Sequence, residues 1–196
     1  MRTLVLGPHV DLLSPLIGDH LVASLERPCT EADLQGLRIE ALVSFGHRHI
    51  VSEEVLRAVD FRAVNLHISL LPWNRGADPN LWSWLEGTPK GVTVHWMVAG
   101  LDRGDVVARR EVDLDPMGTL RSTYAQLQDE VLGLFAAVWP GIVEGSAARV
   151  PQEPGGTYHR AADKAAHPGA MPKGWDTICA EVAEYGRRAG LHVTSS

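Results

Sequence analysis

Short apolar runs of strand length alternate with helix-like segments along the first two-thirds of the chain. The runs that end before the middle are Thr3–Leu6, Ala41–Phe45 and Phe61–His67. Strands that alternate with helices are typical of βαβ units, so the pattern predicts an α/β fold with a largely parallel sheet. With 45% hydrophobic content, 196 residues can bury one full core. We expect one domain over 1–150 and a loop-rich appendage packed on it over 151–196.

Cap and periodicity signals place helices between these strands. Ser14-Pro15 is typical of a helix start, which would put Leu21 and Leu25 on the apolar face of that helix. The polar stretch Arg27–Gly36 is predicted to be irregular. The remaining predicted elements are a helix capped by Ser52, a helix from Asp78-Pro79 to Gly87, a half-buried strand over 92–98, a strand over Val106–Val112, and helices over Thr119–Gly145 and Thr177–Arg188.

Charge and cysteine usage exclude several classes of protein. The formal charge is −6, which argues against a large nucleic-acid-binding face. Cys29 and Cys179 match no CxxC spacing and the nine histidines form no HExxH pattern, so we expect no disulfide framework and no metal site. No apolar stretch approaches the roughly 20 residues that span a bilayer. We therefore expect a cytoplasmic protein without nucleic-acid or membrane partners.

Three polar clusters follow strands of the predicted sheet, where ligands collect in open α/β folds. They are Gly46–His49, Asn65-Leu66-His67 and the segment from Asp102 to Asp105, which comes after the strand that carries His95. An amide can donate to a developing oxyanion, while an imidazole and a carboxylate manage a proton. Together these groups indicate acyl-transfer chemistry.

Each of these side chains also has a purely structural interpretation. Asn65 could cap the turn after its strand, and His67 and His95 could be core histidines with satisfied ring nitrogens. Asp102 and Asp105 flank Gly104, which is equally typical of a turn held by carboxylates. Taken one at a time, none of them indicates catalysis.

The order of the motifs, however, resembles that of the folate-dependent formyltransferases. The stretches are NLHISLLPWNRG and GVTVHWMVAGLDRGD. They match Asn-x-His followed by Ser-Leu-Leu-Pro, a downstream Gly-x-Thr-x-His and an Asp-x-Gly loop. The family includes phosphoribosylglycinamide, methionyl-tRNA and sugar-nucleotide N-formyltransferases. The resemblance implies a Rossmann-type, mostly parallel sheet flanked by helices, with the catalytic domain in residues 1–150.

The resemblance also assigns roles at the site. It implies that Asn65 holds the formyl oxygen, that His67 relays a proton from the attacking amine, and that Asp102 orients His67. His95 would support the aspartate. The formyl donor would be 10-formyltetrahydrofolate, with no metal and no covalent enzyme intermediate. The residues implied to line the folate site are Arg48, His49, Ile50, Val51, Ala99 and Gly100.

The chain departs from the family at both ends. Its N-terminal half is shorter than usual, and LGPHVD stands where the purine enzyme has a glycine-rich phosphate loop. The C-terminal tRNA-binding domain of methionyl-tRNA formyltransferase is not expected. GGTYHRAADK and PKGWDT are instead similar to the irregular tails of small bacterial enzymes that act on sugars or natural products. We therefore expect a small-molecule amine as acceptor, either an amino-sugar nucleotide or a natural-product or amino-acid-derived amine.

Residues after the catalytic strand are the candidates for acceptor binding, and the tail could cover them. The candidates are Trp73, Asn74, Arg75 and Asp78, with Tyr158, His159 and Arg160 in the tail. Asp78 could equally be only a helix cap. The resemblance also suggests a homodimer. Two alternatives stay open: a hydrolase of 10-formyltetrahydrofolate, in which water replaces the amine, and a non-catalytic folate-binding relative.

Overall fold

The computed structural model describes residues 1–193, and its main element is a six-stranded sheet. The strands are β1 (Thr3–Leu6), β2 (Leu21–Leu25), β3 (Ala41–Phe45), β4 (Ala63–His67), β5 (Arg75–Gly76), β6 (Gly91–Trp96), β7 (Val106–Glu111) and β8 (Tyr158–His159). The sheet has the order β2-β1-β3-β4-β6-β7, and β5 and β8 form a separate pair. The first four strands of this order pair in parallel, whereas β4 and β6 are antiparallel. The predicted α/β fold with a mostly parallel sheet is confirmed.

Six α-helices accompany the sheet in the described part of the chain. They are α1 (Val10–Ile17), α2 (Glu31–Leu37), α3 (Glu53–Ala58), α4 (Pro79–Glu86), α5 (Leu120–Glu144) and α6 (Cys179–Arg188). Short 3₁₀ segments lie at Gly18–His20, Asp163–Ala166 and Gly174–Asp176. Within residues 1–193, no helix is both long enough and apolar enough to cross a lipid bilayer.

The chain forms two compact units, each built from three stretches of sequence. The first unit comprises Met1–His67, Thr93–Ala108 and Val131–Gln152. The second unit comprises Ile68–Val92, Arg109–Glu130 and, of the described residues, 153–193. The division of the chain at residue 150 stays a prediction.

A core of aliphatic side chains fixes the parallel part of the sheet in the first unit. Leu4 and Leu6 of β1 and Leu42 of β3 pack with Leu34 of α2 and Leu56 of α3. All four residues of β1 and all five of β3 are buried, as expected for parallel strands covered on both faces. The carboxyl ends of these strands are thereby held in fixed positions.

The prediction of a helix that starts at Ser14-Pro15 is wrong. Helix α1 begins at Val10, with His9 as its N-cap residue, and Pro15 lies inside it. The helix stops at Gly18, which adopts a φ of +57° that favours glycine. The chain can then turn into β2, so Leu21 and Leu25 lie on a strand and not on the face of a helix.

The prediction that Arg27–Gly36 is irregular is also wrong, because α2 occupies its second half. The Asp33 carboxylate accepts hydrogen bonds from the backbone N–H and the hydroxyl of Thr30, at 2.9 and 2.7 Å. Arg27 forms a 2.5 Å ion pair with the same carboxylate. The Arg27 and Thr30 hydrogen bonds hold the pKa of Asp33 well below its usual range. The sequence signal was Thr-x-x-Asp, a short form of the capping box.

Two of the predicted helix starts are confirmed, and one strand is more deeply buried than expected. The Ser52 hydroxyl accepts the Val55 N–H at 3.4 Å, and α4 runs between the caps Asp78 and Gly87. Strand β6 was expected to be half-buried, which is wrong: all six of its residues are buried. Strand β6 lies between β4 and β7 and is therefore an internal strand of the sheet.

Candidate active site

Asn65, His67 and His95 are brought together by the pairing of β4 with β6. Asn65 and His67 are two residues apart on β4, so their side chains leave the same face of the sheet. In the antiparallel register Asn65 lies opposite His95, and side chains of directly opposed residues are neighbours on one face. The Asn65 Nδ2 atom is 3.2 Å from His95 Nε2. This pairing explains why a histidine thirty residues downstream joins the Asn-x-His motif.

Asp102 completes the group from the loop between β6 and β7. Its carboxylate accepts a hydrogen bond from Asn65 Nδ2 at 3.1 Å. The same carboxylate lies 3.7 Å from His67 Nδ1 and 3.3 Å from His95 Nε2. Asp102 and both histidines are buried, whereas Asn65 is half-buried. We call these four residues, Asn65, His67, His95 and Asp102, the first cluster.

The hydrogen bonds of His95 indicate where its proton lies. His95 Nδ1 is 2.9 Å from the Trp96 carbonyl oxygen, which can only accept, so Nδ1 carries a hydrogen. In neutral His95 the Nε2 atom is then an acceptor for the Asn65 amide. A proton added to Nε2 would point toward Asp102 at 3.3 Å.

The backbone around Asp102 explains the Asp-x-Gly motif. Asp102 has a φ of +52°, a conformation that non-glycine residues rarely adopt. A Cβ atom on Gly104 would lie 1.8 Å from the Trp96 carbonyl oxygen, so only glycine fits there. The Gln152 side chain donates to the carbonyl oxygens of Asp102 and Gly104 at 2.8 and 2.9 Å. Sequence analysis missed Gln152, because nothing local in PQEPGG indicates a contact fifty residues away.

The segments implied to bind folate are exposed loops of the first unit. Arg48, His49 and Ile50 are exposed, while Val51 is buried. His49 Nε2 lies 3.1 Å from the Glu26 carbonyl oxygen. Ala99 and Gly100 are exposed on the second segment, where the Gly100 N–H bonds the Val98 carbonyl oxygen at 2.7 Å. Their contacts with folate stay predictions.

Both segments implied to bind folate include or adjoin exposed apolar side chains. Ile50 is 78% exposed, Val98 41% and Leu101 45%. His47, three residues before Ile50, is half-buried, and neither of its ring nitrogens has a hydrogen-bond partner among the described residues. Burial, with a smaller contribution from His49, lowers the pKa of His47. These two segments therefore expose apolar side chains, with Arg48 and His49 exposed beside Ile50.

In the second unit, Asn74 belongs to a buried network. Its side chain is fully buried and donates to Glu86 Oε2 at 2.9 Å, while Thr88 donates to its Oδ1 at 2.7 Å. The Thr157 hydroxyl donates to Glu86 Oε2 at 2.8 Å, and His159 Nε2 lies 2.9 Å from Glu86 Oε1. We call these five residues, Asn74, Glu86, Thr88, Thr157 and His159, the second cluster.

The other acceptor candidates are also in the second unit. Trp73 is half-buried, and Arg75 is buried on β5, with its guanidinium donating to the Gly155 carbonyl oxygen at 3.1 Å. Asp78 precedes α4 with a φ of +52° and pairs with Lys164 at 2.9 Å. Acceptor binding by these side chains stays a prediction.

The tail is tied to this segment by backbone pairing. Strand β8 pairs in parallel with β5, so Tyr158 lies beside Arg75 and His159 beside Gly76. The His159 ring stacks on Trp82 with a centroid distance of 3.7 Å, and Tyr158 is 41% exposed. Of the three tail residues considered above, Tyr158 and Arg160 are thus exposed, and His159 is packed inward.

Within residues 1–193, no group of three histidine, cysteine, aspartate or glutamate side chains could hold a metal ion. In the first unit, the half-buried amide of the first cluster, the His95 imidazole and the carboxylate lie within 3.3 Å of one another, and the His67 imidazole lies 3.7 Å from the carboxylate.

Sequence and structure comparisons both find similarity to formyltransferases. A sequence model described as formyl transferase matches residues 23–138. The formyltransferase PseJ from Anoxybacillus kamchatkensis was crystallised in complex with UDP-4,6-dideoxy-4-formamido-L-AltNAc and tetrahydrofolate. The PseJ sequence is 36% identical to this chain. The two structures match with a TM-score of 0.86 over 95% of this chain and 100% of PseJ. A 4-N formyltransferase from Francisella tularensis shares the fold at 19% identity, with a TM-score of 0.75 over 93% and 85% of the two chains.

The methionyl-tRNA formyltransferase of Bacillus pumilus is 32% identical over 124 residues. The match covers 62% of this chain but only 39% of that enzyme, so the chain matches about two-fifths of the length of such curated relatives. The formyl transferase match spans more than half of the chain and includes Asn65, His67, His95 and Asp102. The chain belongs to the formyl transferase family.

Proposed function

We propose that this protein transfers a formyl group from 10-formyltetrahydrofolate to the primary amine of an amino-sugar nucleotide. The observation that carries the proposal is the first cluster, in which the Asn65 amide reaches both Asp102, at 3.1 Å, and His95, at 3.2 Å. In the reaction, an N–C bond forms between the amine and the formyl carbon, and the bond from that carbon to the folate nitrogen breaks. The amine loses a proton, and the folate nitrogen gains one.

The donor would supply an activated formyl carbon, and the exposed surface of the first unit fits such a molecule. Ile50, Val98 and Leu101 offer apolar contacts for its ring system. The exposed backbone at Ala99 and Gly100 offers hydrogen-bonding groups beside them. We propose that these segments, with Arg48, His49 and Val51, bind the folate donor.

The hydrogen bonds of the first cluster suggest how proton uptake and oxyanion stabilisation are coupled. While His95 Nε2 is unprotonated, it accepts one N–H of Asn65. When the proton of the amine is relayed through His67 and Asp102 to Nε2, that hydrogen bond ends and the imidazolium pairs with Asp102 instead. The released N–H of Asn65 can then donate to the formyl oxygen as it gains negative charge. Fixed donors of this kind lower the barrier strongly in a site shielded from water.

His67 and Asp102 would handle the proton of the attacking amine. His67 Nδ1 lies 3.7 Å from the Asp102 carboxylate, so the carboxylate orients the imidazole and leaves Nε2 for the amine. We propose that this pair accepts the proton from the amine and returns it to the departing folate nitrogen.

The acceptor class is supported by the whole-chain similarity to PseJ, whose complex contains a UDP-linked 4-formamido sugar. A formamide at that position arises from a 4-amino group, so the matching acceptor is a UDP-linked 4-amino-4,6-dideoxy sugar. We propose that the segment from Trp73 to Asp78 contacts this acceptor through Trp73. Asn74, Arg75 and Asp78 would shape the segment from within, since their side chains bond neighbouring protein groups. The homodimer stays a prediction.

The test is a mass-spectrometric assay with 10-formyltetrahydrofolate and a panel of acceptors. The panel contains UDP-linked and dTDP-linked 4-amino and 3-amino sugars and amino-acid-derived amines. The wild type and Asp102→Asn are compared, with Asp113→Asn at an exposed loop position as the matched control. We expect a product in which CHO replaces one amine hydrogen, formed far more slowly by Asp102→Asn and at the wild-type rate by Asp113→Asn. Formate without an acylated amine would indicate a hydrolase, and folate binding without turnover would indicate a non-catalytic relative.

A further inference from the structure

The segment Ala148–Gln152, which we call the strap, is fastened beside the loop that carries Asp102. Val150 exchanges both backbone hydrogen bonds with Val106, at 2.7 and 3.0 Å. The Trp96 indole donates to the Ala148 carbonyl oxygen at 2.8 Å. The Arg149 guanidinium lies 4.0 Å from the centre of the Trp96 ring. The strap is therefore attached to the residues on both sides of the Asp102 loop.

Gln152 extends the strap into the loop itself. Its side-chain amide carries two N–H groups, and Nε2 lies 2.8 Å from the Asp102 carbonyl oxygen and 2.9 Å from that of Gly104. One side chain thereby holds the carbonyl groups of the two residues on either side of Arg103. The backbone at Asp102 needs such support, because a φ of +52° is unfavourable for a residue with a side chain.

We propose that Gln152 is a positioning residue for formyl transfer. It acts through Asp102 by fixing the backbone from which the carboxylate reaches Asn65, His67 and His95. This inference rests on the proposed function. Because carboxylate placement depends on one loop and a displacement of about 1 Å can cost about 100-fold in rate, the loss of both N–H donors should lower turnover.

The first measurement is steady-state kinetics of Gln152→Met, which keeps the length of the side chain and removes both donors. We expect kcat to fall about 10- to 100-fold, with KM for donor and acceptor within about twofold of wild type. The matched control is Gln126→Met, since the Gln126 amide also donates to a backbone carbonyl, that of Asp113 at 3.1 Å, on an exposed surface. The same loss in both variants, or no loss in Gln152→Met, would overturn the proposal.

A double-mutant cycle shows whether the effect passes through Asp102. In an Asp102→Asn background, Gln152→Met should lower kcat by less than about twofold, because the group that it positions is already disabled. A residue that only stabilises the fold would lower kcat by the same factor in both backgrounds, and that outcome would contradict the proposal. If Gln152→Met fails to fold, Gln152→Glu is judged by the same criteria, since it keeps the shape and replaces the donors with acceptors.

A readout independent of turnover is amide hydrogen exchange over residues 97–105 of the full-length protein. Exchange should accelerate in Gln152→Met and stay at the wild-type rate in Gln126→Met. Unchanged exchange in Gln152→Met would overturn the positioning role. If the wild type transfers no formyl group while exchange accelerates as expected, the proposed function fails and the role of Gln152 in holding the Asp102 loop is supported.

Discussion

The two units of the molecule each contain a buried cluster made from the same kinds of side chain. The first cluster joins Asn65 and Asp102 to two histidines. The second cluster joins Asn74 and Glu86 to one histidine and two threonines. An amide, a carboxylate and an imidazole are therefore not, by their presence alone, the mark of a catalytic site.

The clusters differ in how deeply their amide side chains are buried. In the second cluster, Asn74 is fully buried and both ends of its amide group are bonded, and the ring of His159 is covered by Trp82. In the first cluster, Asn65 is half-buried, and the segments implied to bind folate expose apolar side chains. A fully buried amide stabilises its unit, whereas the Asn65 amide, which bonds Asp102 and His95, is itself partly exposed and can meet a ligand.

The largest expected effects come from removing the amide of each cluster. Asn65→Ala should lower kcat about 10²- to 10³-fold, since an oxyanion donor is lost. It should lower the free energy of unfolding less than Asn74→Ala does, because Asn65 is only half-buried and Asp102 and His95 remain 3.3 Å apart as partners of each other. Asn74→Ala should lower the free energy of unfolding by about 2–4 kcal/mol, because buried Glu86 and Thr88 lose a partner. Single-turnover kinetics and urea unfolding measure the two effects. Equal losses of stability in the two variants would break the comparison.

A smaller effect is expected from two glycines that lie against backbone oxygens. A Cβ atom would lie 1.8 Å from the Trp96 carbonyl oxygen at Gly104, and 1.9 Å from that of Pro72 at Gly156. Gly104→Ala displaces the Asp102 loop and should lower kcat about 10-fold, whereas Gly156→Ala displaces the segment of Trp73 and should chiefly raise acceptor KM.

Gly133→Ala is the control for both substitutions. Gly133 lies within α5, and a Cβ atom there would meet nothing within 4 Å. Alanine should therefore leave kcat and KM unchanged and stabilise the helix by up to about 1 kcal/mol. If Gly156→Ala lowered kcat as strongly as Gly104→Ala, the assignment of catalysis to the first cluster and of acceptor binding to the segment of Trp73 would be wrong.

The smallest expected effect is a pH dependence of stability that originates in the second unit. The Lys90 ammonium donates to the Ser83 and Thr88 carbonyl oxygens at 2.8 and 2.7 Å, and burial lowers its pKa to about 8. Between about pH 8 and 10.5 the folded protein has released this proton, while the unfolded chain still binds it. The free energy of unfolding should therefore rise with pH across this window.

The size of the rise is limited by partial exposure of Lys90. A pKa lowered from 10.5 to about 8 sets an upper bound of about 3 kcal/mol, and we expect about 1–2 kcal/mol. Urea unfolding at several pH values measures it, and Lys90→Met should remove the rise. A rise of the same size in Lys90→Met would assign the pH dependence to other groups.

The sequence predicted the internal strand β3 better than the edge strand β2. Ala41–Phe45 matches β3 residue for residue, because a fully apolar run bounded by turn residues allows few alternatives. Leu21–Leu25 was assigned to a helix because its leucines also fit helical spacing. Its pairing with β1, a contact between separate parts of the chain, decides in favour of a strand.

The same distinction holds for the candidate site. The first cluster was predicted because its residues stand in ordered motifs at strand ends. Gln152 was missed because a single amide in a proline-rich stretch has no local signature, although it donates to two carbonyl oxygens of the Asp102 loop. The contacts of Asn74 and Arg75 were equally hidden, since their partners in the tail follow about eighty residues later.

The pairing of β5 with β8 has a consequence for the order in which the protein can be completed on the ribosome. Asn74 and Thr157, which share a 3.0 Å hydrogen bond, are separated by 83 residues. At about 5–20 residues per second, the segment around Trp73 waits roughly 4–17 s after its own synthesis for the strand that fixes it. The proposed acceptor-binding segment is thus secured only after β8 has been synthesised, and a nascent chain lacks the means to select its substrate until then.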